Sequence, residues 1–256
     1  MIQKKKKLIV ILSGCLIVLS LALAFIISDT KVDNPLPTNT NEPEVNEIVE
    51  NETYKANKAI NDDYIAEIKF ESGLIDYPVL QGVSNDTYVT TEWKTMEYDI
   101  EGSIFMDYRN VYEGENEDKN LIIYGHYVYA DESSKFSPLH LLKDQANYEA
   151  NKYVTLTFAN EIRRYEIADV FYCQLVDDGN GNYLFTEDNM QYHHTNFDSE
   201  YFKEYSKAID EAKFYDTGVE ITDKDHLLTL QTCVRDRDDL RLIVIAKEIE
   251  RKPYTK

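Results

Sequence analysis

The chain has 256 residues, 43% of them hydrophobic, and 27 basic against 47 acidic side chains give it a formal charge of −20 at neutral pH. That acid excess repels phosphate backbones and anionic headgroups, so nucleic acid is excluded as a partner of the folded part. Once an apolar start and a spacer are set aside, about 190 residues remain, enough for one domain with its own core and too few for two large ones.

The chain opens on Lys4-Lys5-Lys6-Lys7, followed by an uncharged stretch of 20 residues from Leu8 to Ile27. One helix of that length crosses a bilayer, and the lysines in front keep the N-terminus in the cytoplasm. Residues 1–27 are therefore expected to be a transmembrane signal anchor, which places everything after Ser28 outside the cell. A cleavable signal peptide is the weaker reading, because Ala22-Leu23-Ala24 is still followed by Phe25-Ile26-Ile27. Leu12-Ser13-Gly14-Cys15 has the lipobox pattern, but the apolar run continues well past Cys15, where a lipoprotein would turn polar. The first 27 residues contain four of the basic side chains and none of the acidic ones, so the rest has 23 basic against 47 acidic residues and a formal charge of −24. Residues 28–43, with Pro35, Pro37 and Pro43 among Asn, Thr and Asp, are expected to be a disordered spacer. Residues 44–256 form the expected catalytic domain.

Within that domain, apolar residues at Val45, Ile48, Val49, Ala56 and Ile60 follow a ragged helical period. Strands are expected at Ile65–Phe70, Asp76–Gln81, Gly102–Asp107 and Asn120–Tyr124. Ser137-Pro138 has the form of a helix cap with proline at the first position, opening a short helix to Leu142. Tyr153–Phe158 and Arg164–Leu175 form a hairpin around Asn160-Glu161. An amphipathic helix runs from Asp198 to Lys213 with Tyr201, Phe202, Tyr205, Ala208, Ile209 and Ala212 on one face. Strands Leu227–Cys233 and Leu240–Lys247 complete the series. Many short strands with few helices predict a mostly β fold, a closed and mainly antiparallel barrel.

Three residues at strand ends carry the chemistry. Cys233 ends Leu228-Thr229-Leu230-Gln231-Thr232-Cys233, Arg241 opens Leu242-Ile243-Val244-Ile245-Ala246, and His126 follows the Tyr124-Gly125 step. A thiol nucleophile, a proton carrier and an oxyanion clamp make a cysteine acyl-transfer site. A free cysteine titrates at about 8.5 and a histidine at about 6.5, so the pair reacts as thiolate and imidazolium. Arg235 and Arg237 are read as part of a solvated turn, Arg235 to Asp239, and Cys173 as a buried strand residue. A Cys173–Cys233 disulfide is disfavoured, because a nucleophile must stay a free thiol. His140, His226, His193 and His194 lack a motif and are expected to be structural or surface residues. Asp178-Gly179-Asn180-Gly181-Asn182 begins like a calcium loop but has Tyr183 where glycine is required and Asn189 where glutamate is required. It is read as a turn, with no metal and no cofactor expected.

Thr229 to Cys233, the Tyr124-Gly125-His126 step and Arg241 together resemble the sortases, cysteine transpeptidases that attach proteins to the Gram-positive cell wall. Ile75-Asp76-Tyr77-Pro78-Val79-Leu80-Gln81 and Gly102-Ser103-Ile104-Phe105-Met106-Asp107-Tyr108-Arg109-Asn110 resemble class B sortases in particular, and the likeness runs from about Ile65 to Lys247. It implies the eight-stranded sortase barrel, with an N-terminal helix and a long helix before the cysteine strand as class B traits. It also implies His126, Cys233 and Arg241 as catalytic residues, with Thr232, Tyr127 and Leu230 assigned to substrate binding. The implied reaction is attack of Cys233 on the threonine carbonyl of an Asn-Pro-x-Thr-type sorting signal at the C-terminus of a surface protein. An amine of the peptidoglycan precursor then resolves the acyl-enzyme. Asn34-Pro35-Leu36-Pro37-Thr38 has a partial likeness to such signals, but proline stands where threonine belongs and no hydrophobic tail follows. The charged residues after the nucleophile, Val234-Arg235-Asp236, depart from the family's pattern at the lip of the pocket. Pilus polymerisation, a secreted cysteine peptidase and a noncatalytic adhesion domain are the other readings. The peptidase lacks a Cys-Gly-Ser-Cys-Trp signature, and the adhesion domain gives no reason for the Cys-His-Arg set.

Overall fold

The computed structural model describes residues 51–180, 183–184 and 190–255. The expected anchor and spacer, residues 1–43, lie outside these, as do residue 44 and residues 45–50 of the expected first helix. Among the described residues no helix is long and apolar enough to cross a membrane.

The elements are α1 (Glu52–Ile60), β1 (Tyr64–Phe70), β2 (Asp76–Leu80), β3 (Phe105–Met106), β4 (Asn120–Tyr124), α2 (Tyr148–Asn151), β5 (Tyr153–Thr157), β6 (Glu161–Gln174), β7 (Val176–Asp177), β8 (Tyr183–Leu184), α3 (Ser199–Ala212), β9 (Leu227–Val234) and β10 (Arg237–Pro253). Eight strands close a barrel in the order β1-β2-β3-β4-β9-β10-β6-β5, while β7 and β8 pair separately. Only β2–β3 and β4–β9 are parallel; the other barrel pairs are antiparallel.

The continuous apolar run in β10 arises because both its faces are covered. Leu240, Leu242, Val244 and Ala246 enter the barrel core, whereas Ile243 and Ile245 point outward into a second cluster. Strand alternation sends successive side chains to opposite faces. In that outer cluster, Phe202, Tyr205 and Ile209 of α3 pack against Phe171 and Cys173 of β6 and Leu227 of β9. Asp198 caps α3, its side chain accepting from the N–H groups of Glu200 and Tyr201. Asn51 caps α1 in the same way, accepting from Tyr54 N at 3.1 Å.

Three expectations are revised. The segment Ser137–Lys143 is a 3₁₀ helix with Phe136 at the cap position, and the Ser137 hydroxyl instead accepts the Val128 N–H at 2.6 Å. The strand expected over 102–107 shrinks to Phe105–Met106. β10 begins at Arg237 and runs on to Pro253, because its polar C-terminal half pairs with the first residues of β6, from Arg251↔Arg163 to Pro253↔Glu161.

Two glycines shape the rim near β4. At Gly102, where φ is +53°, an added Cβ would lie 2.2 Å from the Val89 carbonyl oxygen and 2.4 Å from that of Tyr88. At Gly125 it would lie 2.4 Å from Ile104 Cδ1 and 2.6 Å from the Phe136 ring. Overpacking of this kind costs about 1–3 kcal/mol. Gly125→Ala is therefore expected to destabilise the domain by about that amount in chemical denaturation and to move the adjoining residue.

Candidate active site

β9 is hydrogen-bonded on both sides. It runs parallel to β4, with Tyr124 beside Gln231, and antiparallel to β10, with Arg241 directly opposite Cys233. The Gly125 N–H extends the first ladder by donating to Gln231 O at 3.1 Å. These registers bring the ends of β4 and β9 and the start of β10 to one rim of the barrel. Because Leu228 and Leu230 point into the core, Gln231 and Cys233 point outward.

At this rim is a cavity of about 410 Å³ lined by Asn85, Val89, Phe105, Arg109, Tyr124, Gly125, His126, His193, Gln231, Thr232 and Cys233. Cys233 is half-buried with a free thiol. His126 Nε2 lies 2.7 Å from Val89 O. A carbonyl only accepts, so Nε2 carries the proton and Nδ1 is the atom left for proton exchange. The Cys233 carbonyl is held in turn by His140 Nε2 at 2.9 Å. Burial lowers the His140 pKa, so the ring donates to that carbonyl as neutral imidazole.

Arg241 stands beside the cavity. Its Nη1 donates to Asp238 O at 2.9 Å and to Leu240 O at 2.8 Å, and among the described residues no carboxylate pairs with it. Its neighbours are occupied: Arg235 pairs with Glu132 at 2.7 Å, and Arg237 grips both carboxylate oxygens of Asp239 at 2.7 Å. Of the three arginines around this hairpin, only Arg241 keeps guanidinium donors clear of an acid.

Cys173 lies across β10, opposite the other side of Arg241. Two strand spacings, roughly 10 Å, separate it from Cys233, beyond the ~7 Å Cα limit of a disulfide. Burial pushes its thiol up to about 12, with Arg241 pulling the other way. It is an inert core thiol.

The assigned substrate residues divide. Thr232 lines the cavity, and its Oγ1, like Gln231 Oε1, is buried without a hydrogen-bond partner among the described residues. Tyr127 is nearly buried and borders a second cleft on the far side of His126, its hydroxyl donating to Glu132 at 2.9 Å. Leu230 is corrected: it is fully buried in the barrel core and has no surface to offer a ligand.

The cavity's polar wall joins residues of two family-like stretches, Asp107 and Arg109 of one and Tyr124 of the other, to Asn85 and His193, which no motif marks. Asp107 is fully buried and accepts from Arg109 Nε and Nη2 at 2.8 Å each, Tyr124 OH at 2.8 Å and Asn85 Nδ2 at 3.1 Å. Burial alone would raise its pKa, but these donors outweigh that and hold it down at about 2. Tyr124 gives its only proton to Asp107, so at 3.2 Å it accepts from His193 Nδ1. His193 is thus part of this wall and not an ordinary loop histidine. Desolvation lowers its pKa to about 4, which keeps it neutral. Among the described residues no cluster of three His, Cys, Asp or Glu side chains could hold a metal.

The signs of these shifts predict an acid response. Both groups have folded pKa values below their unfolded ones, so each stabilises the fold above its unfolded pKa and loses that contribution as pH falls toward the folded value. The His193 contribution is expected to be lost from about pH 6.5 to about 4 as the unfolded chain protonates that ring, and the Asp107 contribution between about 4 and 2. Thermal melts across this range, with His193→Gln flattening the upper step alone, check the assignment. Asp169, raised to about 6 by burial, acts in the opposite sense over this range, so the comparison with the variant decides: an identical pH dependence in wild type and His193→Gln between pH 6.5 and 4 would refute it.

The sortase domain family model matches residues 68–249. Sortase B of Staphylococcus aureus is 32% identical over 202 residues, covering 77% of this chain and 75% of that protein. The crystal structure of Clostridium perfringens sortase B superposes with a TM-score of 0.64 at 32% identity, covering 77% of this chain and 99% of the other. A sortase B complexed with triglycine gives the same TM-score at 26% identity, covering 77% of this chain and 85% of that one. With the closed barrel and the cysteine rim already in place, these likenesses settle the family: the chain belongs to the sortases, on their class B branch, and is a cysteine transpeptidase.

Proposed function

We propose that this enzyme cleaves an Asn-Pro-x-Thr-type sorting signal after its threonine and joins the new carboxyl end to a peptidoglycan amine, anchoring surface proteins to the cell wall. Cys233 is the nucleophile, His126 the proton carrier and Arg241 the oxyanion clamp. The apolar stretch Leu8–Ile27 is the proposed single-pass anchor, with the N-terminus in the cytoplasm and the domain outside.

The observation that carries the reading is Arg241 facing Cys233 across the β9–β10 ladder, its guanidinium donors clear of any acid described. The Cys233 thiolate attacks the threonine carbonyl carbon, and the electron pair displaced to oxygen meets the Arg241 guanidinium. Collapse breaks the C–N bond, and the leaving amine takes the proton from His126 Nδ1. The acceptor amine then attacks the thioester and gives its proton back to Nδ1. Its nitrogen forms the new amide as the C–S pair leaves with sulfur. Throughout, Val89 O holds Nε2–H, so the same ring nitrogen serves in both directions.

Incubating the domain with a labelled Asn-Pro-x-Thr peptide and an amine acceptor tests the reaction: joined product is expected, whereas cleavage that ignores the acceptor would indicate a peptidase. Arg241→Lys should lower kcat/KM by about 10²-fold or more, because lysine replaces a planar fork of donors with one point charge. Arg235→Lys and Arg237→Lys, whose donors go to Glu132 and Asp239, are expected to lose far less. A sensitive Arg237 with a tolerant Arg241 would move the clamp to the tip of the hairpin.

A further inference from the structure

On the outer flank of the barrel, β6, α3 and the loop after α3 enclose a cleft of about 440 Å³, apart from the catalytic rim. Asp169 of β6 lines it and is only 6% exposed, yet its carboxylate makes no hydrogen bond or ion pair among the described residues. Desolvating a carboxylate is costly unless a partner replaces the lost water. Burial raises the Asp169 pKa to about 6, with Lys213 pulling the other way and Asp210 and Asp216 adding to the rise, so the group is ionised at neutral pH. Lys213 cannot serve as its partner, because its Nζ is given to Asp210 at 2.8 Å. A buried charge thus borders a cleft in which nothing answers it. We propose that this cleft is a cation site, which takes a primary alkylammonium with its charge against Asp169.

The surroundings select that chemistry. Asp210, Asp216 and Glu220 add three more carboxyl groups to the lining against the single positive charge of Lys213, a field that draws cations in. Among the described residues no three acidic side chains converge to hold a metal ion, which needs several oxygens at once. Ile209, Val219 and Ile221 line the same space, the first buried and the other two half-buried. They offer cover to a methylene stem while the ammonium meets the acid, as long cationic side chains bury their stems.

The cleft is a fixed part of the fold. Phe214 N donates to Val170 O at 2.9 Å and Thr217 Oγ1 donates to Ala168 O at 2.5 Å, so the loop after α3 is pinned to β6 on either side of Asp169. Gly218 N donates to Asp216 Oδ1 at 2.9 Å, which leaves Oδ2 for a ligand. Asp169 pairs with Ile245, down β10 from the pairing of Cys173 with Arg241, a rise of roughly 13 Å along the strand. A ligand here does not compete with a peptide at Cys233.

Isoleucine methyl NMR of the full chain in an uncharged detergent tests the site, with cadaverine and Nα-acetyl-lysine methylamide as probes. Either probe should shift the Ile209 and Ile221 methyl signals and leave those of Ile68 and Ile123, in the barrel core, in place. Tighter binding of the lysine derivative assigns the site to a basic side chain of a peptide, and tighter binding of cadaverine assigns it to a free diamine. Asp169→Asn should weaken both probes by about tenfold, a change of about 1.4 kcal/mol. Asp216→Asn, at an exposed position where the core is undisturbed, should weaken them by about threefold. Pentanol, which keeps the stem and lacks the charge, should leave the spectrum unchanged. Absence of shifts with both probes at about 20 mM, or wild-type affinity in both variants, would overturn the proposal. So would calcium ion shifting the same methyl signals with the same dependence on Asp169.

Discussion

β9 is the strand on which the site depends, because its two ladders are of opposite sense and both must be in register. Parallel pairing from Asn120↔Leu227 to Tyr124↔Gln231 delivers Gly125-His126 beside Thr232-Cys233, and antiparallel pairing delivers Arg241 opposite Cys233. A slip of one residue in either ladder would turn the strand over and exchange Cys233 with Val234 or Thr232. The register is pinned by buried polar bonds. Thr229 Oγ1 donates to Asn120 Oδ1 at 2.8 Å, and Asn110 bonds both the carbonyl of Asn120 and the N–H of Ile122. Around these, Leu228, Leu230, Leu242 and Val244 fill the core side without exposure. A slip would bury polar groups without partners while expelling leucines, two penalties that add.

The second rigid element is the buried charge at the cavity wall. Asp107 is ionised without solvent because five donated hydrogen bonds, three from Arg109 and one each from Tyr124 and Asn85, surround it. Pairing a buried carboxylate with an arginine adds little net stability, since desolvation offsets the attraction. Its effect is on geometry: it fixes Tyr124, the residue two before His126, and through Tyr124 the ring of His193. The wall facing the nucleophile is thereby held in one arrangement before any peptide enters, which acyl transfer requires of its surroundings.

Much of this is legible in the chain. The apolar runs of β4, β9 and β10 mark buried strands, Asp198 marks the start of α3, and the strand-end positions of His126, Cys233 and Arg241 mark their meeting point. Period-two alternation also bears on Leu230: counting back from Cys233 places it on the opposite face, in the core, against its assignment to substrate. Other features have no local signal. His193 reads as a loop histidine because its partner Tyr124 is 69 residues away, and the Arg109 guanidinium donates to the His193 carbonyl across 84 residues. Arg237 reads as loop because it sits in a charged run, yet it begins β10, followed by an irregularity before Arg241. Ser137-Pro138 carries the right residues for a cap, but the hydroxyl goes to a tertiary partner, Val128.

Intact-mass analysis of the domain mixed with an Asn-Pro-x-Thr peptide, with no amine acceptor present, tests the central claim most directly. The account predicts an added mass equal to the acyl fragment ending in threonine, mapped by proteolysis to Cys233 and labile to hydroxylamine as a thioester. Cys173, buried behind Arg241, should remain unmodified. An adduct on Cys173, or peptide cleavage that survives Cys233→Ala, would contradict it.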